Sequence, residues 1–159
     1  MFRKLQVVAA LFSMLSYSVA GTVSIGTASA RGDMRVDNYT VKGNATLFEG
    51  SVLETGQATA DLRLYKGTEI TMSTNSRGTL YKDHLLLQQG ESELVASSLF
   101  QLEANGLHVT PNEPNSRGVV SLKPGNTVEV AALNGSSALR MIMESCWRAF
   151  TLAVRPYSL

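Results

Sequence analysis

One short phrase recurs along this chain: leucine, two residues, glycine, then an alternating run. It reads "LFEGSVLE" at Leu47–Glu54, "LYKGTEITM" at Leu64–Met72, "LQQGESEL" at Leu87–Leu94 and "LKPGNTVEV" at Leu122–Val130. Glycine lacks a Cβ and accepts positive φ at no steric cost, so it suits a point where the chain reverses. Around it the residues alternate. In "ATADLRLY", Leu62 and Leu64 take one face while Asp61, Arg63 and Tyr65 take the other; in "TEITM", Ile70 and Met72 oppose Glu69 and Thr71. Period two belongs to a strand. The phrase therefore predicts a strand end, a glycine turn and a new strand, with Gly50, Gly67, Gly90, Gly125 and, farther on, Gly135 as structural turns.

From residue 21 to about residue 135 no stretch sustains a helical period, so the expected fold class is all-β, built of many short strands with glycine turns. Turn signals every 8 to 12 residues or somewhat more, roughly the spacing of such proteins, fit a β-solenoid-like stack, with a β-sandwich as the alternative. A chain of 159 residues holds one domain with a core of its own. Its 14 Lys plus Arg against 13 Asp plus Glu give a net charge of +1, which offers no electrostatic footprint for nucleic acid. The single cysteine, Cys146, excludes an internal disulfide and a cysteine-cluster zinc site.

At the start, "MFRK" precedes the apolar run "LQVVAALFSMLSYSVA", Leu5–Ala20, which is too short to span a bilayer comfortably. Residues 1–20 read as a signal peptide, with an uncleaved anchor as the other reading. Cleavage is expected after Ala20, ahead of a second small-residue site at Ala28-Ser29-Ala30. A periplasmic or secreted location is expected, with membrane contact only through this segment if it is uncleaved.

Catalytic and metal machinery is sparse. No G-x-S-x-G elbow, P-loop or G-x-G-x-x-G fingerprint occurs. Asp83 and His84 are strand neighbours in "KDHLLL", and alternation would turn them to opposite faces, preventing an orienting pair. "RGDMRVDN" offers Asp33, Asp37 and Asn38 without the spacing of a calcium loop. Its Arg31-Gly32-Asp33 reads as a turn. No catalytic, cofactor or metal residue is assigned, and no enzyme is expected. The tetrapeptide "NSRG" occurs at Asn75–Gly78 and Asn115–Gly118, each ahead of a strand-like run. Turn chemistry explains it; a sharper reading makes Arg77 and Arg117 a pair of anion-binding arms.

The run "LRLYKGTEITMSTNSRGTLYKDHLLLQQGESELVA" resembles the core of the FecR-like domain, named after the regulator of iron-dicitrate transport. The matching positions are Leu64, Gly67, Ile70, Met72, Ser76, Asp83, Leu85, Leu87, Gly90 and Glu91. Downstream, "RGVVSLKPGNTVEVAALNGS" resembles the family's closing strands, at Val128, Val130 and Gly135. The likeness spans about residues 40 to 136 and makes 21–135 a FecR-like β-domain. It implies an exported, non-catalytic sensing or protein-binding module of the bacterial envelope, with an envelope protein as partner. A structural envelope component that self-associates through β edges is the alternative. No counterpart of the regulator's cytoplasmic sigma-binding part is expected from Met1–Lys4, which is too short for a stable helix.

Residues 136–159 depart from this pattern. In "SSALRMIMESCWRAFTLAV", Leu139, Ile142, Met143, Cys146 and Phe150 are spaced as on an amphipathic helix. Met and Trp have a single codon each, so the bases under "MIMESCW" are tightly constrained. From the third base of the Met141 codon, a shifted frame reads as a sequence of the type "DHGVLLA", a turn and a strand. The tail is thus expected to be a frameshifted end, with an aberrant helix.

Overall fold

The structure, a computed structural model, describes residues 22–96, 100–110, 116–125, 127–132 and 140–143. The expected signal segment 1–20, Gly135, and Leu139, Cys146, Trp147 and Phe150 of the tail lie outside the described residues.

Twelve strands and no helix occur among the described residues. They are β1 (Ser24–Val36), β2 (Tyr39–Phe48), β3 (Ser51–Thr55), β4 (Ala60–Leu64), β5 (Glu69–Met72) and β6 (Arg77–Leu80). Then follow β7 (His84–Ala96), β8 (Gln101–Ala104), β9 (Leu107–Thr110), β10 (Ser116–Lys123), β11 (Thr127–Ala132) and β12 (Arg140–Met143). Tight turns join them. Asp37 and Asn38 both have positive φ between β1 and β2, the backbone of a type I′ hairpin turn.

Two 13-residue strands organise the rest. β1 is antiparallel to β4 through Gly26–Ala30 and to β3 through Met34–Val36. β4 pairs with β5, β3 pairs with β6, and β5 and β6 both return to β7. Six strands, β1, β4, β5, β7, β6 and β3, thereby close into a barrel. β2 follows β1 through both of its stretches, so β4 and β3 must succeed one another along the opposite edge of β1. Outside the ring, β10 and then β11 extend from the second half of β7, while β8, β9 and β12 extend from its first half.

The neighbouring ring strands are antiparallel, and the ring closes on itself. The expected solenoid, whose coils would stack without closing, and the alternative sandwich are therefore replaced by a barrel. On β3, β4 and β5 the alternation is complete, with Leu53, Leu62, Ile70 and Met72 buried; Met34, Leu85 and Leu87 on β1 and β7 are buried too, as is Leu102 on β8 outside the ring. Each such side chain removed from water contributes about 1.5 to 3 kcal/mol against the entropy of ordering the chain.

Three further expectations are corrected. Gly50, Gly67 and Gly125 have positive φ in turns, but Gly90, also at positive φ (82°), lies inside β7 where that strand passes from β6 to β5. Arg31-Gly32-Asp33 is no turn; it is part of β1, at the register shift between Ser29 and Asp33. The expected tail helix is absent from its described part, because Arg140–Met143 form β12, antiparallel to β9. An extended segment there satisfies backbone N–H and C=O groups of β9 that would otherwise lack strand partners.

Candidate functional site

Adjacent strands place one residue each in a cross-strand row: Thr40 on β2, Arg35 on β1, Glu54 on β3, Arg77 on β6 and Gln89 on β7. The sequence neighbours Met34, Val36, Leu53 and Thr55 are buried, so period two turns the row itself outward. Strands lie about 4.8 Å apart, which gives the row a length of nearly 20 Å. Glu54 is its half-buried centre. Arg77 Nη1 stands 3.0 Å from Glu54 Oε1 in an ion pair, and Arg35 Nη1 donates to Glu54 Oε2 at 3.5 Å. Two guanidinium groups sharing one carboxylate leave the centre of the row net positive. Arg35 Nη2 also donates to the Asn38 carbonyl at 3.3 Å.

The row borders a cleft of about 410 Å³, walled also by Asp33, Gly56 and Asn75 and floored by Thr55 and Ser76. Thr27, Arg63 and Glu69 form a comparable outward row on the other half of the barrel, outside this cleft.

Below the cleft, buried hydroxyls replace strand pairing at the seam in the barrel. Ser76 Oγ donates to the Glu91 carbonyl at 3.0 Å and accepts the Glu91 N–H at 3.0 Å. Thr55 Oγ1 accepts the Ser76 N–H at 2.9 Å and donates to the Ser73 carbonyl at 2.6 Å. The Asn75 N–H reaches the Gly56 carbonyl at 2.7 Å. This network fixes the loops before β4 and β6, and with them the positions of Arg77 and Glu54.

The structure does not bring the two expected anion-binding arms together. Arg117 lies opposite Val95 of β7, six residues and about 20 Å along the strand from Gln89, the partner of Arg77. Its Nε stands 3.5 Å from Glu93 Oε1. Arg77 instead joins Arg35, whose place beside it no local motif announces.

Asp83 and His84 correct the expectation from alternation. Their side chains meet, with His84 Nδ1 2.8 Å from Asp83 Oδ1, because Asp83 belongs to the bend before β7 and not to the strand. The ring stacks on Tyr81 at 4.4 Å, and Nε2 stands 4.0 Å from Glu103 Oε2. The hydrogen bond from His84 holds the Asp83 carboxyl below its ordinary range. A carboxyl depressed in the folded state contributes stability above its unfolded value and loses it as pH falls through the folded value. Asp83 is exposed, so this contribution is small. In an NMR titration the Asp83 midpoint is expected to rise in His84→Ala; an unchanged midpoint contradicts the hydrogen bond.

Among the described residues no group of three or more His, Cys, Asp or Glu could hold a metal ion. Asp37 is occupied structurally, accepting the Val52 N–H at 2.8 Å and the Ser51 hydroxyl at 3.1 Å. No helix among the described residues is long and apolar enough to cross a membrane. No protein-family model, curated protein or solved structure matches the chain.

Proposed function

We propose that this chain is an exported, non-catalytic β-domain of the bacterial envelope that binds a protein partner, as its resemblance to the FecR-like domain implies. The observation that carries the reading is the row Thr40, Arg35, Glu54, Arg77 and Gln89, which presents polar side chains in register beside a cleft. A row fixed by five strands is preorganised, and an extended segment bearing a carboxylate can exchange with Glu54 for the two guanidinium groups. The free side of β2 is next to this row. β2 pairs only with β1 among the described residues and so offers backbone groups for an added strand.

The test is capture from envelope extracts by the wild-type chain and by the double variant Arg35→Ala/Arg77→Ala. The same partner should be retained by the first and lost at least tenfold by the second, with melting temperatures within a few degrees, since exposed ion pairs contribute about 0 to 1 kcal/mol each. Equal retention would overturn the assignment of the row. Export makes a separate expectation: intact-mass measurement of the mature protein should give a chain beginning at Gly21, and one beginning at Met1 would contradict cleavage.

Self-association is the second reading, and β11 favours it. Its register with β10 is regular from Thr127 to Ala132, Val128 and Val130 are buried, and it pairs with no other strand among the described residues. Concentration-dependent dimers in analytical ultracentrifugation would support it over partner binding.

A further inference from the structure

The turn between β1 and β2 decides which backbone groups β2 leaves open. Asp37 and Asn38 form a two-residue turn with positive φ at both positions, so the flanking Val36 and Tyr39 are a hydrogen-bonded pair. Alternation then makes Arg35–Thr40 and Asp33–Lys42 the pairs without mutual hydrogen bonds. The Asp37 N–H, which reaches the Val52 carbonyl at 2.9 Å, has the matching phase. The N–H and C=O groups of Thr40 and Lys42 therefore point away from β1, to a side where no strand pairs with β2 among the described residues.

The side chains of Thr40 and Lys42 are exposed on the face that carries the row. That face holds Arg35, Lys42 and Arg77 against Asp33 and Glu54, an excess of one positive charge. β2 carries Lys42 and no acidic residue, so a second copy paired here would bring only a lysine to the arginines. We propose that β2 accepts an antiparallel strand from an acidic segment of the partner, with two carboxylate residues, separated by one residue, opposite Thr40 and Lys42. The proposal rests on the reading of the row as a partner site and adds the segment's register and charge. Directly opposite residues share a face, so the first carboxylate meets the Lys42 ammonium. The second starts two strand spacings, about 10 Å, from Arg35 and reaches its guanidinium over the short Thr40.

The probes are two blocked peptides, acetyl-TVEVEVT-amide and acetyl-TVKVKVT-amide, titrated into the intact isotope-labelled protein by NMR. The glutamate peptide should slow hydrogen exchange at the Thr40 and Lys42 amides and bind about tenfold more tightly than the lysine peptide. N-methylation of its two glutamates should abolish binding, because their N–H groups face β2. N-methylation of the valine between them, whose N–H faces away, should not. Lys42→Glu should remove the preference for glutamate with the melting temperature near that of the wild type, since its pair with Asp33 is exposed. Absence of protection at Thr40 and Lys42, the reverse methylation pattern, or a preference that survives Lys42→Glu overturns the proposal. If the envelope partner is still lost in Arg35→Ala/Arg77→Ala, such a result removes the strand addition and leaves the row as a partner site. Protection by the glutamate peptide, with the partner fully retained by that double variant, supports strand addition and refutes the row instead.

Discussion

Gly90→Val is expected to be the most damaging single substitution in the described chain, costing on the order of 4 kcal/mol or more. Two effects add. The backbone at Gly90 has φ of 82°, where a β-branched residue is strained by about 1 to 3 kcal/mol. A Cβ there would also come within 2.7 Å of Ser76 Cα and 2.9 Å of the Asn75 carbonyl oxygen. Both are backbone atoms, so no rotamer change relieves the contact, and truncating Ser76 would not rescue the variant. Typical domains are stable by roughly 5 to 15 kcal/mol, so the loss would be a large fraction of the whole. Gly67→Val, with positive φ in an exposed turn, should cost about 1 to 3 kcal/mol from backbone strain. Lys82→Val, which loses only an exposed pair with Glu49, should cost roughly 0.5 kcal/mol. Thermal melts of the three would show the order; equal melting temperatures would mean that the recurring glycines do not set the architecture.

Thr55→Val is expected to cost about 2 to 3 kcal/mol although it preserves shape and packing. Its hydroxyl both accepts from the Ser76 N–H and donates to the Ser73 carbonyl, and the residue is buried. Removal leaves a buried N–H and a carbonyl short of a partner, which costs more than the bond itself is worth on balance. Thr55→Ser keeps the hydroxyl and should recover most of the loss. A denaturant series that finds Thr55→Val as stable as wild type would show that the seam does not need the hydroxyl network.

These two sites mark the boundary of what local pattern reveals. The faces of β4 and β5 are legible in "ATADLRLY" and "TEITM" because each strand's alternation is complete within a few residues. The glycine phrase likewise marks Gly50, Gly67 and Gly125. Gly90 carries the same phrase inside a continuous strand, because positive φ can serve a close backbone approach as well as a reversal. Ser76 sits in "NSRG", which reads as turn chemistry; its hydroxyl acts on Glu91, a partner that the β6–β7 pairing brings near. Ring closure is itself a long-range event, for period two is the same in a solenoid, a sandwich and a barrel.

The row at the cleft was illegible for the same reason. Arg35, Glu54 and Arg77 lie in separate strands, and nothing local to any of them indicates the others. Only Arg77 stood out, through its repeated tetrapeptide, and that repetition pointed to Arg117, which the fold places on another part of the sheet.

The most direct test of partner binding at this row is site-specific photo-crosslinking in the native envelope. A photoreactive residue replaces Gln89, exposed at the end of the row, or Tyr65, which is 68 % exposed in the turn between β4 and β5. A discrete adduct with one protein is expected from position 89, abolished by Arg35→Ala/Arg77→Ala, with none from position 65. An adduct from position 65 alone, or one from position 89 that survives loss of both arginines, would contradict the account.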